Sequence, residues 1–145
     1  MIRQVSVFMQ NQEGRLGRVL RTLADAGVNI RSLTIAETAD FGLLRLILQD
    51  TDAGMAALKK AGFMANETKV LAVEVPDEPG GMADIVEVLG GADISVSYAY
   101  SFLPKNTDNA IIILKVPEED REKAIDLFTG DDRTNLLARD ELLTR

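Results

Sequence analysis

The sequence predicts an α+β fold of two tandem βαββαβ units, each an antiparallel sheet with both helices on one face. Three observations lead there. First, "VFMQNQEGRLGRVLRTLADAGVNI" (residues 7–30) and "VPDEPGGMADIVEVL" (residues 75–89) both pass from a valine-rich stretch through a glycine-bearing turn into a helical pattern. Second, superimposing Gly14 on Gly80, an offset of 66 residues, sets Val5 and Val7 on Leu71 and Val73, and Leu16, Val19, Leu20 and Leu23 on Met82, Ile85, Val86 and Leu89. Third, the segments after that first helix come in the same order in both copies.

Each element has its own signal. "VSVFM" (5–9) and "VLAVEV" (70–75) are short and rich in valine, as strands are. After each turn the apolar residues recur at i, i+3, i+4 and i+7, the stripe of a helix facing a core. "VNIRSLTIAE" and "FGLLRLILQ" read as two strands around the turn-like "TAD" (38–40), and "DAGMAALKKAG" as a short helix stopped at Gly62. The second copy repeats this: "ADISVSYAYSFL" (92–103), the loop "PKNTDN", "AIIILKV", and a helix from about Glu118 to Thr129. Fourth strands are expected within 63–69 and in "TNLLA" (134–138). This order is the ferredoxin-like split βαβ arrangement. The domain limits are 1–66 and 67–145, the second with a short C-terminal extension whose role is open. "LLRLIL" and "AIIIL" are apolar at both parities, so either something covers the second sheet face, the other repeat or another subunit, or these are central strands with a few exposed aliphatics.

Composition excludes several functions. A chain of 145 residues buries roughly 70% of the surface its unfolded form exposes, and a unit of half that length only some 60%, so the copies are expected to share a core. Cysteine and histidine are both absent. Thiolate nucleophiles, disulfides and the commonest general base and metal ligand are therefore missing together. With 16 basic against 23 acidic residues, the net charge of -7 repels a phosphate backbone, so no nucleic acid partner is expected. No apolar run reaches the ~18 residues of a membrane span, and "MIRQVSVFM" lacks a signal-peptide progression, so a cytoplasmic protein with no membrane partner is expected. "GGMADIVEVLGG" does not fit the dinucleotide fingerprint, and no cofactor is expected. Val96, Tyr98, Tyr100 and Phe102 share one strand parity and read as core or interface residues, not as a base-stacking platform.

"VPDEPGGMADIVEVL" together with "NQEGRLGRVLRTLADAGVNIRSLTIAET" resembles the ACT domain, a small ligand-binding module of amino-acid metabolism, here in two copies with no enzyme attached. The resemblance spans about residues 3–130 and implies amino acids bound at an interface near the loop between first strand and first helix, in a homo-oligomer, a dimer. It implicates Asn11, Gln12, Glu13, Gly14, Arg15, Leu16, Asn29 and Ile30 in the first copy. The second copy offers Asp77, Glu78, Pro79, Gly80, Gly81, Met82, Asp93 and Ile94. The physical reason is that a helix N-terminus has free N–H groups and partial positive charge. Gly14 with Arg15, or Gly80 with Gly81, are the backbone donors this suggests for a carboxylate. Asn11 and Asp77 either meet an ammonium group or cap the helices. The first copy departs from the family's Asp-x-Pro-Gly turn, reading Asn-Gln-Glu-Gly. The second keeps it, but "LGGADI" reads as two residues shorter than "LADAGVNI", with Asp93 in place of Asn29. Arg15 and Arg18 in the first turns of a helix signal either a nearby anion or a solvated basic face, and Asp84 and Glu87 make the second helix's face acidic.

Three functions are open at this point. The chain is an amino-acid-binding regulatory module without catalytic activity. Or it resembles the small subunit of acetolactate synthase, a subunit that binds a larger amino-acid biosynthetic enzyme. Or it is an enzyme of the acylphosphatase kind using Arg15 and Asn29, which the fold alone does not license.

Overall fold

The computed structural model describes residues 1–10, 12–37 and 40–145. They divide into two compact units, Arg3–Thr68 and a second formed by Met1–Ile2 with Lys69–Arg145. The first unit contains β1 (Ile2–Gln10), α1 (Arg15–Asp25), β2 (Ile30–Glu37), β3 (Phe41–Leu48), α2 (Thr51–Lys60) and the start of β4 (Met64–Val75), with strand order β2-β3-β1-β4. The second continues β4 and adds α3 (Gly81–Gly90), β5 (Tyr98–Phe102), β6 (Ala110–Lys115), α4 (Arg121–Gly130), β7 (Asn135–Leu136) and α5 (Arg139–Thr144). Its order is β5-β6-β4-β7. Each unit therefore has the ferredoxin-like strand order, with β4 ending one and beginning the other.

Three details differ from the sequence expectation. The strands expected at 63–69 and 70–75 are one strand of 12 residues, because no turn residue interrupts "MANETKVLAVEV". β5 starts at Tyr98, not at 92, since Asp93 adopts φ 58 and closes α3. Glu118–Asp120 is a 3-10 turn leading into α4. Residues 38 and 39 of the expected "TAD" turn lie outside the described residues.

The first core forms where Val5 and Val7 of β1 lie across from Leu46 and Leu44 of β3, beneath Val19 and Leu23 of α1 and Leu58 of α2. The second repeats this with Leu71 and Val73 across from Leu114 and Ile112, beneath Ile85, Leu89 and Phe128. Each fully buried aliphatic contributes about 1.5–3 kcal/mol. The expected helix stripe holds along α1 but shifts on α3, where Met82 and Val86 are over 40% exposed and Val88 joins Ile85 and Leu89 in the core. The cause is Gly81: a Cβ there would meet the Pro76 carbonyl at 2.6 Å, so the start of α3 is pressed onto the chain and turns Met82 outward.

Three helices end alike. Val28 N–H donates to the Leu23 carbonyl, Phe63 N–H to Leu58 and Ile94 N–H to Leu89, each at 3.0–3.1 Å, and each donor residue is a buried hydrophobe. This closing bond needs a left-handed residue just before it, supplied by Gly27 (φ 72), Gly62 (φ 85) and Asp93 (φ 58). Asp93 is thus the counterpart of Gly27, and Ile94 of Val28. The sequence alignment is corrected: the offset of 66 continues without a deletion and sets Ser95, not Asp93, on Asn29.

The strand parity assigned to Val96, Tyr98, Tyr100 and Phe102 also breaks. Val96 packs on the helix-side core, while Phe102 is buried opposite Ile111, outside that cluster. In the first unit the same change of side is seen as a bulge between Ile30 and Ser32.

The tail acquires two structural roles. Arg133 pairs with Asp131 at 2.9 Å and reaches Asp84 and Glu87 at 3.6 and 3.8 Å, neutralising the acidic face of α3. The Arg133 guanidinium holds the Asp131 carboxyl down at about 2 through their hydrogen bonds. Arg145 Nε donates to Glu74 at 2.9 Å, and Asn135 Nδ2 donates to the same carboxylate. Because Glu74 lies on the opposite face from Val73 and Val75, the end of α5 is anchored on the sheet face away from α3 and α4.

In the first unit Arg3 donates through Nε to Glu67 at 3.0 Å and through a terminal nitrogen to Asp52 at 2.7 Å, tying β1 to β4 and to the first turn of α2. The Arg3 hydrogen bond holds the Glu67 carboxyl below its ordinary 4.5. A depressed carboxylate stabilises the fold above its unfolded value and loses that contribution as pH falls through the folded one. The Glu67 side chain is 37% exposed, so solvent limits the pair to roughly 1 kcal/mol or less. Melting curves of wild type and Glu67→Gln should therefore differ by their full amount at neutral pH, and the gap should close as pH falls below 4.5. A gap that persists at low pH would show that the carboxylate's charge is not what Arg3 holds.

Candidate functional site

The two turns between strand and helix share a left-handed glycine and a hydrogen-bond pattern despite different sequences. Gly14 (φ 77) and Gly80 (φ 92) are the N-cap residues of α1 and α3. Gln12 N–H donates to the Gln10 carbonyl, Arg15 N–H to Gln12, and Arg18 N–H to Gly14. Glu78 to Pro76, Gly81 to Glu78, and Asp84 to Gly80 repeat the pattern bond for bond. Left-handed backbone is nearly free for glycine and strained for residues with a Cβ, which explains why the glycine is common to both turns while Pro79 is not.

These bonds correct two sequence expectations. The N–H groups of Arg15 and Gly81 already serve the turn and are not donors for a ligand. Among the described residues no side chain caps either helix, so Asp77 is not a cap. Among the described residues the N–H groups of Leu16 and Gly17, and of Met82 and Ala83, have no backbone acceptor. Asn11 lies outside the described residues.

Each turn opens on a cavity. In the first unit a space of about 380 Å³ is bounded by the turn residues Gln12, Glu13, Arg15 and Leu16. Its other walls come from strand ends that the topology brings alongside: Met9 and Gln10 of β1, Ile35 and Glu37 of β2, and Gly42 of β3. The register explains the grouping, since Gly42 pairs with Met9 on one side and Glu37 on the other. In the second unit a space of about 410 Å³ is bounded by Asp77, Glu78, Gly81 and Met82, with Ser101, Phe102 and Asn109 from β5 and the loop after it. Pro79 and Gly80 shape this turn without lining the space. Asn29 and Ile30 lie at the far end of α1, and Asp93 and Ile94 at the far end of α3, roughly 15 Å of helix away. They line neither cavity.

The strand-end residues Gln10, Ile35, Glu37, Ser101 and Asn109 carry no motif of their own. The signal that locates them is the strand order, which sets the ends of first and second strands beside the start of the third.

The arginines of α1 have an explanation beyond the two weighed in the sequence. Arg15 and Arg18 both lie over the Phe63 ring, at 5.2 and 5.8 Å from its centroid. Arg15 Nε is buried without a hydrogen-bond partner, and the residue lines the first cavity. No group of three or more metal-ligating side chains occurs among the described residues, and no described helix is long and apolar enough to cross a membrane.

Two units of this fold, each with a glycine turn opening on a cavity, define a tandem protein of the ferredoxin-like class. The family model for an ACT domain pair matches residues 1–142, and the chain belongs to that family. Protein BT0572 from Bacteroides thetaiotaomicron is similar at 33% identity over 99% of this chain and 96% of its own, with a TM-score of 0.88. The fold is shared by the regulatory subunit of aspartate kinase from Thermus thermophilus, in a ligand-free form, at 15% identity and TM-score 0.61 over 86% of this chain and 88% of that one. The corresponding subunit from Thermus flavus aligns at 13% identity and TM-score 0.57 over the same shares. No curated protein matches the chain significantly.

Alanine at positions 80 and 81 tests the turn by two different mechanisms. Gly80→Ala meets open space and bears only the left-handed strain, about 1 kcal/mol, whereas Gly81→Ala drives a Cβ into the Pro76 carbonyl and should destabilise by more, roughly 2–3 kcal/mol. Chemical denaturation ranks the two; equal effects would mean that α3 is not pressed against Pro76.

Proposed function

We propose that this protein is a non-catalytic regulatory module that binds a small amino acid or related metabolite at one or both of the cavities beside its β1–α1 and β4–α3 turns. The observation that supports it most is the bond-for-bond match of the two turns, each opening on a cavity of the size ligand sites have. Free N–H groups at the start of α1 and α3 suit a carboxylate, and Glu13, Glu37, Asp77 and Glu78 suit an ammonium group. Membership of the ACT domain pair family supports the same reading, as does a fold shared with regulatory subunits of aspartate kinase. The ligand acts by binding two states unequally, in a cytoplasmic homodimer that engages an enzyme of amino-acid metabolism.

One observation favours a second reading, a subunit that works mainly by protein binding. Phe8, Phe41 and Met64 are 42%, 56% and 68% exposed and share one pocket wall, an apolar surface suited to a partner.

A thermal-shift scan of the full chain against the twenty amino acids separates the readings. A ligand at a hundredfold excess over its dissociation constant stabilises by about 2.7 kcal/mol, which raises the melting temperature by roughly 5–10 °C. A concentration-dependent rise with one amino acid or a related group is the expected result. Flat traces with all twenty would contradict ligand sensing and leave the subunit reading.

A further inference from the structure

The two turns share a backbone but not a chemistry, and the difference arises at a single pair of positions. Arg15 is the first residue of α1, and its counterpart under the offset of 66 is Gly81, the first residue of α3. Gly81 is fixed by sterics, because any side chain there runs into the Pro76 carbonyl at 2.6 Å. The second cavity therefore has no side chain at the position where Arg15 lines the first. Its charged walls are Asp77 and Glu78, with no cation among its lining residues. The first cavity has Arg15 together with Glu13 and Glu37.

Arg15 is also poised. Its guanidinium is set over the Phe63 ring, which restricts it without consuming its donors. Its Nε is buried with no hydrogen-bond partner, and it forms no ion pair among the described residues although two carboxylates line the same cavity. A planar fork of N–H donors held this way matches a carboxylate bidentately. Glu13 and Glu37 provide acceptors for an ammonium group, and Met9, Leu16 and Ile35 form an aliphatic wall.

We propose that the first cavity alone takes the zwitterion of an aliphatic α-amino acid, with Arg15 as the residue that selects its carboxylate, and that the second cavity, which has no cationic side chain, does not take it. This rests on the ligand-sensing reading above and assigns that function to the repeat whose turn departs from the family pattern. Arg15 binds the carboxylate, Glu13 and Glu37 hold the ammonium group, and the apolar wall reads the side chain. In the second cavity an amino acid's carboxylate would face Asp77 and Glu78 with only the backbone N–H groups at the start of α3, and no cationic side chain, to offset the repulsion.

Isothermal titration of the full chain with leucine, isoleucine and valine, and with leucinamide as the uncharged-carboxyl control, tests this directly. One site per chain is expected, with leucinamide at least tenfold weaker than leucine, since a hydrogen bond between charged partners is worth about that factor or more. Arg15→Gln should weaken leucine by a similar factor while leaving leucinamide unchanged, and Arg15→Lys should recover part of the loss. Asp77→Asn with Glu78→Gln should leave leucine binding as it was. If Arg15→Gln binds leucine like wild type, or the Asp77 and Glu78 substitutions abolish binding, the assignment to the first cavity is overturned while ligand sensing stands. If wild type binds none of these amino acids but binds a different one through the second cavity, the assignment again fails alone. No heat with any amino acid overturns both.

Discussion

The constraint on which the rest of this molecule depends is a left-handed glycine at the junction of a strand and a helix. Gly14 and Gly80 turn the chain from β1 into α1 and from β4 into α3 within four residues, with no side-chain cap among the described residues to assist. That sharp turn sets α1 over Val5 and Val7, and α3 over Leu71 and Val73, so the two cores grow from it. It also leaves the first N–H groups of each helix facing outward beside the strand ends. Fold and candidate site thus share one cause, and the site needs no catalytic side chain to exist.

Much of the fold is legible in the sequence because burial enforces periodicity. The valine-rich strands, the i, i+3, i+4, i+7 stripe of α1 and the stop at Gly62 all follow from residue pattern, and the duplication supports each from its copy. The positions that escape are governed by backbone contacts that composition does not display. Met82 reads as a core residue, yet the close approach of Gly81 to Pro76 rotates it out. Asp93 aligns with Asn29 because both are polar residues before an isoleucine; its φ of 58 and the Ile94 to Leu89 hydrogen bond make it the helix-closing residue instead. The tail is unreadable because Arg133 and Arg145 act on Asp84, Glu87 and Glu74, partners remote in sequence.

The candidate site is legible in half. The turn residues around Gly14 and Gly80 announce themselves by glycine and by helix polarity. Their companions Glu37, Ile35 and Asn109 come from other strands and loops and have no local signature; only strand order brings them in. The same asymmetry holds for chemistry. A motif reading favours the second repeat, which keeps Asp-x-Pro-Gly, whereas the side chains favour the first, which has Arg15 over Phe63 and mixed charge around an aliphatic wall. Duplication preserved the backbone device and let the walls diverge, as expected where the fold depends on the turn and only binding depends on its surroundings.

The central claim, that ligands enter at these turns, is tested most directly by amide nuclear magnetic resonance during titration with an amino acid that raises the melting temperature. The account predicts saturable shifts led by the amides of Leu16 and Gly17, with neighbours in the ends of β1 and β2. Shifts confined to the β7–α5 region around Leu136–Glu141, with the turns silent, would contradict it.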